Sequence, residues 1–402
     1  MANNNENKIL NVPNLRFPEF TGEWKAERLN DIAILTKGAG ISKDQLSESG
    51  EPCILYGELY TKYKSEIIED VISKTNIPTD KLIKSKANDV LIPCSGETAV
   101  DIATARCVSS DNVLLGGDLN IIRLKHHDGS FMSYQLNGKR KYDIAKVAQG
   151  VSVVHLYGEH LKGIVTYNPQ IEEQKKIVGL LSLLDERIAT QNKIIEKLQS
   201  LIKGLSQQLL SSENDWILYR LDDLAQIKSG YSGTQVSYQT PYKVSRIETI
   251  SKHCIDIQRI GYVECIPESY RLNVGNILFS NINSIQYIGN TAYLDKDYGL
   301  YHGMNLLRII PNTTIVRPRF LHLLLCTDWA INHFQTICNK AVSQASINQT
   351  ALGKSRFPIP PMSVQQQICS MFELTERKLD NEQEYISCLQ QQKRYLLQKM
   401  FI

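Results

Sequence analysis

The chain repeats itself with a period close to half its length, and this repeat restricts what it can fold into. Six residues between Trp24 and Gly38 recur 192 positions later, between Trp216 and Gly230. The first copies are Trp24, Arg28, Leu29, Asp31, Ala33 and Gly38. Self-similarity at a fixed period indicates two copies of one structural unit, so we predict that the 402 residues form two related half-molecules.

The correspondence drifts inside each half and recovers at its end. "DVLI" (89–92) corresponds to "NILF" (276–279) at an offset of 187, and "NIIR" (120–123) to "NLLR" (305–308) at an offset of 185. Beyond Pro169 and Pro360 the offset is 191, close to the initial value of 192. Insertions and deletions therefore lie inside the two globular parts, and we predict that each globular part is followed by a helix.

Two long amphipathic helices are the clearest local signal. Residues 171–210 contain no proline, and apolar residues recur there every three or four positions. Prolines precede both helices, at 169 and at 358, 360 and 361, as expected near a helix start. About forty residues at 1.5 Å each give a rod of about 60 Å, which is longer than a compact domain of about 150 residues is wide.

Part of each rod therefore projects beyond its own globular part, and we predict that the two rods pack against each other as an antiparallel coiled coil. The predicted seam consists of Ile188, Ile195, Leu198, Ile202, Leu205 and Leu209 in the first helix and of Leu379, Ile386, Leu389, Leu396 and Met400 in the second. The polar residues Gln191, Glu382 and Lys393 interrupt it. We expect them to fix the register or to face a further subunit.

The globular parts contain short β-branched or alternating runs separated by Gly, Asn, Ser and Asp, with helical patches near residues 131–148 and 318–339. The predicted fold class is α+β, with two tandem pseudo-repeated domains separated by the two long helices. The predicted boundaries are an N-terminal segment 1–19, a first domain 20–168, a first spacer helix 169–211, a second domain 212–359 and a second spacer helix 360–402.

Sequence motifs of common catalytic and metal sites are missing. There is no GxxxxGK[ST] loop, no GxGxxG after a strand, no HExxH and no Cys/His quartet. His126 and His127 are expected in a solvated loop, and Ser95 in a plain turn. Nine cysteines without a CxxC pair favour free thiols. We predict no catalytic residue, no metal ligand and no cofactor in this chain.

Charge and hydropathy narrow the choice of partner and location. The 45 basic and 42 acidic residues leave a net charge of +3, so a polyanion must be held by local basic patches. No apolar run has the length of a membrane span, and the start of the sequence lacks a basic region followed by an apolar stretch. We therefore expect a cytoplasmic protein.

Polar, basic and aromatic loops occupy equivalent places in the two halves. Such side chains contact phosphates and base edges in DNA complexes. The predicted DNA-contacting residues are Lys37, Lys43, Lys62, Lys64, Ser152, His155 and Tyr157 in the first half, and Lys228, Tyr231, Thr234, Arg246, Ser343, Gln344, Ser346 and Asn348 in the second. Each of them alone also fits a solvated surface; their repetition in two similar halves favours a bipartite ligand.

Together these features resemble the specificity subunits of type I restriction-modification systems. The residues that carry the resemblance are "LRFPEF" (15–20) with Trp24, "DW" (215–216) followed by "RLDDLAQIKSG", and the paired helix starts "NPQIEEQKKI" (168–177) and "PPMSVQQQI" (360–368). The resemblance extends over essentially the full chain. The second helix start departs from the pattern, because it lacks the glutamate that precedes glutamine at Glu173–Gln174.

The resemblance implies that each globular part is a target recognition domain reading one half of a bipartite sequence in double-stranded DNA. It implies that the long helices space the domains and dock partner subunits. It also implies no catalysis in this chain. Two methyltransferase (M) subunits that bind adenosyl-methionine and two restriction (R) subunits that use ATP and Mg would act instead.

Two other classes stay open on the sequence. One is a duplicated coiled-coil adaptor that binds proteins rather than DNA, and a salt-dependent affinity for duplex DNA would distinguish the two. The other is an enzyme with an unrecognised site in each half. Its weakness is that the two halves lack matching polar residues, since "CSG" (94–96) corresponds to "NIN" (281–283).

Overall fold

The computed structural model describes residues 11–150, 153–211, 216–251, 253–340 and 344–402. The chain divides into two compact units. Unit 1 comprises Met1–Lys193 and Gln383–Ile402, and unit 2 comprises Ile194–Glu382. Both units combine sheets with helices, which confirms the predicted α+β class. Among the described residues, no helix has the length and apolar character needed to cross a membrane.

Unit 1 contains fourteen short strands among its described residues, six short helices and part of each long helix. The strands are β1 (Lys25–Arg28), β2 (Ala33–Lys37), β3 (Leu46–Ser47), β4 (Glu51–Ile54), β5 (Ile67–Ile68), β6 (Ser73–Thr75), β7 (Ile83–Lys84), β8 (Asp89–Pro93), β9 (Ser95–Gly96), β10 (Arg106–Val108), β11 (Leu114–Leu115), β12 (Leu119–Leu124), β13 (Val154–His155) and β14 (Val165–Asn168). The short helices are α1 (Leu29–Ile32), α2 (Glu58–Thr61), α3 (Ala99–Ile102), α4 (Gly129–Asn137), α5 (Lys141–Val147) and α6 (Gly158–Lys162).

The first long helix, α7 (Ile171–Leu209), begins in unit 1 and ends in unit 2. The remaining strands are β15 (Ile217–Arg220), β16 (Ala225–Ser229), β17 (Tyr242–Val244), β18 (Ile250–Ser251), β19 (Cys254–Ile255), β20 (Gly261–Val263), β21 (Ile277–Phe279), β22 (Ile282–Asn283), β23 (Thr291–Tyr293), β24 (Leu300–Tyr301), β25 (Leu307–Pro311), β26 (Asn339–Lys340), β27 (Ala345–Ser346) and β28 (Arg356–Ile359). The remaining helices are α8 (Leu221–Leu224), α9 (Pro318–Leu325), α10 (Asp328–Ile337), α11 (Gln349–Gly353) and the second long helix, α12 (Met362–Lys399).

The two units share the order of the first four strands of their core sheets, as the sequence repeat predicts, while unit 1 has β5 as a fifth strand. The core sheet has the order β2-β12-β8-β10-β5 in unit 1 and β16-β25-β21-β23 in unit 2. In each unit a separate antiparallel ladder joins the first strand to the last, β1 to β14 and β15 to β28. The central strand β8 is buried along its whole length, so apolar residues follow one another there instead of alternating.

Each core sheet packs against short helices in the same way. In unit 1, apolar side chains of the sheet such as Val90 and Ile122 form one buried cluster with Met132 and Leu136 of α4. In unit 2, Ile277 and Ile309 belong to the cluster that contains α9 and α10. The helices α4, α5, α9 and α10 lie where the sequence predicts helical patches, near residues 131–148 and 318–339.

A glutamine in the first turn attaches each long helix to its domain. In unit 1 the Oε1 atom of Gln174 accepts a hydrogen bond from the backbone N–H of Asp128, just before α4, at 2.9 Å. In unit 2 Gln365 accepts in the same way from Arg317, just before α9, at 2.8 Å. Both amide groups also donate to the carbonyl oxygen five residues earlier, at 2.8 and 2.9 Å. The duplicated glutamine thus has the same structural role in both halves.

The residue before this glutamine has different roles in the two units. Glu173 is buried and accepts two hydrogen bonds from the Arg16 guanidinium, at 2.7 and 2.8 Å, and one from the indole of Trp24 at 3.3 Å. The N-terminal segment is thereby fixed to the start of α7. In unit 2 the corresponding residue is Val364, which packs against an apolar cluster. The replacement of glutamate by valine at this position therefore exchanges an ion pair with the N-terminal segment for an apolar contact.

Within each unit the two long helices run antiparallel. In unit 1, Ile177 and Leu181 from the start of α7 share a buried cluster with Met400 from the end of α12. In unit 2, Leu205 from the last part of α7 packs against the cluster that contains Phe372 from the first part of α12. Most predicted seam residues are half-buried, and Leu389 and Met400 are fully buried.

One polar interruption of the seam forms a buried ionic cluster in unit 1. The ammonium of Lys393 in α12 pairs with the carboxylate of Asp185 in α7 at 2.5 Å and with the carboxylate of Glu66. The Tyr134 hydroxyl of α4 donates to Asp185 at 2.7 Å. Because burial disfavours the charged carboxylate, the pKa of Glu66 is raised. Lys393 thus fixes the register of the two helices, one of the two roles expected for it.

Candidate nucleic-acid interface

The structure brings several predicted DNA-contacting residues of unit 1 to one end of its core sheet. Lys37 is the last residue of β2. His155 pairs with Ser95, just beyond the end of β8, and the His155 and Tyr157 rings stack with centroids 6.1 Å apart. Backbone hydrogen bonds of 2.7 Å from Leu156 to the Cys94 carbonyl and from Cys94 to the Asp118 carbonyl hold these loops together. We call this set, Lys37, Ser95, His155 and Tyr157, the strand-end surface of unit 1.

Lys37, His155 and Tyr157 are exposed, Ser95 beneath them is buried, and the surface is mixed in charge. The Lys37 ammonium lies 3.4 Å from the Asp118 carboxylate, and both side chains are more than half exposed, so the pair is weak and Lys37 can turn to another anion. Tyr157 is 50% exposed. Below the surface, burial raises the pKa of the Cys94 thiol to about 11, so Cys94 is neutral and belongs to the core.

Unit 2 has an equivalent strand-end surface, formed by Lys228, Gln344, Ser346 and Asn348. The backbone N–H of Ile347 donates to the Asn281 carbonyl at 2.8 Å, as Leu156 does to Cys94 in unit 1. Ser346 pairs with Ile282 in a small three-stranded sheet. The predicted residues of the two halves that form these surfaces therefore lie at corresponding places in the two units, although few of their side chains are alike.

Asn348 has a structural role that the sequence interpretation missed. Its Oδ1 atom accepts the Ala351 N–H at 2.7 Å and caps α11, so only its amide N–H groups are left for a ligand. Ser152 and Ser343 lie outside the described residues. Their predicted contacts stay predictions.

The glycines directly after β2 and β16, Gly38 and Gly230, each pack against another backbone segment. A Cβ atom on Gly38 would lie 2.1 Å from the carbonyl oxygen of Gly116, and one on Gly230 would lie 1.8 Å from that of Gly303. Glycine is required at both positions because two backbone segments approach each other closely. The recurrence of glycine at these two positions of the repeat is therefore explained by the close approach of the backbone segments.

The other predicted DNA-contacting residues lie on additional sheets or turns, away from the strand-end surfaces. Unit 1 has a second five-stranded sheet, β3-β6-β4-β11-β7, and unit 2 has a three-stranded sheet, β20-β17-β24. Lys43 is exposed in a short 3-10 helix (Lys43–Gln45), and Lys64, Thr234 and Arg246 are exposed in loops, where Arg246 lies 3.5 Å from Glu248. The sequence gives no sign that they are separate from the first group, because the separation depends on the fold.

Two further predicted DNA-contacting residues, Lys62 and Tyr231, have partners within the protein. The Lys62 ammonium donates to Glu58 at 2.6 Å and to Ser73 at 2.8 Å, which makes it part of the second sheet's support. The Tyr231 ring is partly buried, with its centroid 5.3 Å from that of Tyr270 in an edge-to-face contact. Their contacts with DNA stay predictions.

The sequence interpretation also missed residues beside the unit 2 surface. Asn339 and Lys340 form the exposed strand β26, which pairs with Ser346 and Ala345. Lys340 adds a positive charge next to the predicted loop. Its position directly before residues 341–350 is a signal that could have identified it.

Two minor expectations are corrected as well. His127 is half-buried instead of solvated: its Nε2 atom lies 3.3 Å from the Glu27 carboxylate and its Nδ1 atom 3.0 Å from the Gln174 amide. Burial lowers the pKa of His127. Ser95 lies in the two-residue strand β9 and not in a plain turn. In the part of the chain that the structure describes, no group of three or more His, Cys, Asp or Glu residues is arranged to hold a metal ion.

Comparison with known proteins identifies a family for both halves of the chain. The model of a family described as the type I restriction modification DNA specificity domain matches the chain twice, over residues 21–200 and 213–391. Each match covers one sequence repeat and most of the long helix that follows it.

Two proteins of Methanocaldococcus jannaschii are similar in sequence. One, named as the specificity subunit of type I restriction enzyme MjaX, is 38% identical over 193 residues, which are 46% of this chain and 45% of that protein. The match thus spans less than half the length of this relative. The other, the MjaVIII specificity subunit, is 24% identical over 396 residues, which cover 90% of this chain and 87% of that protein.

Two solved structures share the fold. The crystal structure of the type I restriction-modification S subunit from M. genitalium has a TM-score of 0.62 at 17% identity, over 97% of this chain and 99% of that chain. A chain from a structure on complex assembly and conformational transition of a type I system has a TM-score of 0.59 at 15% identity, over 94% and 97% of the two chains. Both likenesses confirm the two-domain architecture with its long helices.

Proposed function

Because the chain belongs to the type I restriction-modification specificity-subunit family, we propose that it reads a bipartite sequence in double-stranded DNA. The first recognition domain, residues 20–168, reads one half-site, and the second, residues 212–359, reads the other. The chain contributes no catalytic group and no cofactor. It directs partner subunits that bind adenosyl-methionine and methylate adenine, and restriction subunits that use ATP and Mg.

The observation that carries this proposal is the pair of strand-end surfaces at corresponding ends of the two core sheets. Each is exposed and offers side chains that hydrogen-bond to base edges or phosphates, such as Lys37 and His155 in unit 1 and Lys228 and Gln344 in unit 2. The differences between the two sets of side chains give each domain its own half-site. One shared scaffold with two different surfaces is what an asymmetric bipartite target requires.

Linked recognition domains also account for the small net charge. When one domain is bound, the second binds its half-site as an intramolecular event, so affinity rises without additional basic surface. A net charge of +3 would be too small for tight binding by a uniform positive field. The proposed contacts are instead local, and they are completed by basic surface on the partner subunits.

The long helices are proposed to dock the partners, and their exposed faces support two copies of the same partner. Leu183 is 62% exposed in α7, and Leu374, 191 positions later, is 60% exposed in α12. Ile194 and Tyr385 are exposed at another pair of positions with the same offset. Apolar side chains repeated on the open faces of two related helices fit two M subunits, with two R subunits joining for cleavage.

A domain exchange tests the function. Residues 20–168 are replaced by the corresponding domain of another specificity subunit, and adenine methylation is mapped by sequencing in cells that contain the matching M subunit. We expect only one half of the split methylated motif to change, and the reciprocal exchange of residues 212–359 to change only the other half. A change in both halves, or in neither, would contradict the assignment of one half-site to each domain.

A further inference from the structure

Each unit has a short segment beside its strand-end surface that the sequence interpretation did not include. In unit 1 it directly follows β9, which pairs with β13. In unit 2 it directly follows β22, which pairs with β27 in the same antiparallel way. The two segments, residues 97–100 and residues 284–287, lie 187 positions apart, which is the offset of the sequence repeat in this region. We call them the exposed segments.

Both exposed segments hold an apolar side chain in solvent at the same position. Val100 is 47% exposed in unit 1, and Tyr287, 187 positions later, is 49% exposed in unit 2. The isoleucines that follow, Ile102 and Ile288, are buried in the core clusters and anchor the segments. A single exposed apolar residue needs no explanation, but its recurrence at one place in both units favours an interaction site. On DNA, such side chains contact the thymine methyl group.

In unit 1 the carboxylate of Glu97 is available to accept a hydrogen bond. The neighbouring Thr98 is not, since its hydroxyl oxygen accepts the Asp101 N–H at 3.1 Å and its hydroxyl donates to the Asp101 carboxylate at 2.6 Å. Within the described residues Glu97 is exposed and makes no hydrogen bond or ion pair. A carboxylate at a DNA surface repels phosphates, so it lowers the affinity for DNA in general. A hydrogen bond from cytosine N4, the base donor that carboxylates contact in the major groove, offsets this cost.

In unit 2 the amide of Gln286 is available in the same way. Asn283 fixes the start of the segment, because its Oδ1 atom accepts the Ser284 N–H at 2.8 Å and its Nδ2 atom donates to the Ser280 hydroxyl at 3.2 Å. Gln286 itself is exposed and makes no hydrogen bond within the part of the chain that the structure describes. An amide that both donates and accepts matches the N7 and N6 atoms of adenine, which it can contact with two hydrogen bonds.

We propose that each exposed segment determines one base pair of the split DNA target. Glu97 accepts a hydrogen bond from N4 of a cytosine in the first half-site, and Gln286 forms two hydrogen bonds with an adenine in the second. Val100 and Tyr287 contact the neighbouring bases. This proposal rests on the proposed DNA recognition and names residues for it that lie outside the predicted set.

Exchanging the two chemical groups tests the proposal. The variants Glu97→Gln and Gln286→Glu are each expressed with the matching M subunit, and adenine methylation is mapped by sequencing. In Glu97→Gln we expect the preference for cytosine at one position of the first half-site to fall at least tenfold, with the second half-site unchanged. In Gln286→Glu we expect the same loss for adenine at one position of the second half-site only.

A binding measurement covers variants that methylate too little DNA for mapping. The complex of such a variant with the M subunit is titrated by fluorescence anisotropy against duplexes in which the cytosine or adenine positions of that half-site are changed one at a time. We expect the ratio of affinities at one position to fall at least tenfold relative to the unaltered complex. Ratios equal to those of the unaltered complex would refute the assignment of that side chain.

The matched control variants lie at the opposite ends of the core sheets. Glu69 is exposed after β5, beyond the end of the sheet where β8 begins, and Gln226 is exposed near the start of β16. Glu69→Gln and Gln226→Glu carry the same chemical changes and should leave both half-sites as they are. An equal loss of preference in these controls would refute a local role of the exposed segments.

The composition of the target and the domain exchange separate the remaining outcomes. A first half-site without a C·G pair, or a second without an A·T pair, would overturn the proposal. If Glu97→Gln and Gln286→Glu leave the motif unchanged while the domain exchange still alters one half-site, the exposed segments are refuted and the proposed function stands. Failure of the domain exchange itself would refute the proposed function.

Discussion

Removing the Arg16 guanidinium tests whether the N-terminal segment holds the start of α7. In the structure Glu173 is only 1% exposed, and Arg16 supplies two of the three side-chain hydrogen bonds that its carboxylate accepts. In Arg16→Met the carboxylate keeps only the Trp24 N–H. Breaking a buried ion pair by removing one partner costs about 3–5 kcal/mol, because a buried charge is left unpaired.

The expected loss is local, so hydrogen exchange followed by mass spectrometry is the suitable assay. A tenfold change in an equilibrium constant corresponds to about 1.4 kcal/mol, so amides of residues 171–180 should exchange between about a hundredfold and a few thousandfold faster in Arg16→Met. Residues 362–371, the corresponding turns of α12, serve as an internal control. They have no such ion pair, because Val364 packs there against an apolar cluster.

A double variant separates loss of the pair from loss of packing. In Arg16→Met with Glu173→Val the buried charge is gone, and unit 2 already uses valine at this position. We expect at least half of the lost protection to return, since replacing a buried pair with apolar residues is often close to neutral. A change of less than tenfold in Arg16→Met, or a double variant as unprotected as the single one, would refute this account of Glu173.

Two further predictions concern buried charges. Burial lowers the pKa of His302 to about 4, below its value of about 6.5 in an unfolded chain. As the pH falls from 7 to 5, the unfolded state therefore takes up a proton that the folded state does not, and unit 2 should lose about 2 kcal/mol of stability. His302→Gln should abolish this part of the pH dependence in urea titrations. An identical pH slope in the two proteins would contradict it. Lys393→Met leaves Glu66 and Asp185 without the ammonium that pairs with both and should destabilise unit 1 by about 3–5 kcal/mol, measured by hydrogen exchange, whereas Arg394→Met at the exposed neighbouring position should have little effect. Equal exchange in these two variants would mean that the ionic cluster contributes nothing.

The sequence predicted the helices and the duplication closely. The first long helix was expected within residues 169–211 and is observed at Ile171–Leu209, and the second was expected within residues 360–402 and is observed at Met362–Lys399. Helix periodicity and the prolines that precede a helix are local signals, so they can be read without knowledge of the fold. The repeat of Trp24 and Gly38 at Trp216 and Gly230 likewise identified two copies of one domain.

The candidate site was predicted only in part. His155 and Tyr157 reach the strand-end surface with Lys37, but the sequence could not show that Lys62 is already bound to Glu58 and Ser73. Whether the Lys62 ammonium is free to bind DNA depends on Glu58 and Ser73, which lie 4 and 11 positions away in sequence and are brought next to it by the fold. Lys340 was also missed, although it lies directly before residues 341–350, and its pairing with Ala345 follows only from the fold.

The amino-acid sequence by itself determined that this protein has two related α+β domains, each followed by a long helix, because these properties depend on periodicities and repeats along the chain. Only the tertiary structure decided which loops meet at the strand ends and that Gly38 and Gly230 serve close backbone packing. Those features depend on contacts between residues far apart in sequence. Their side chains acquire partners, burial and charge environments only when the sheets and helices have assembled.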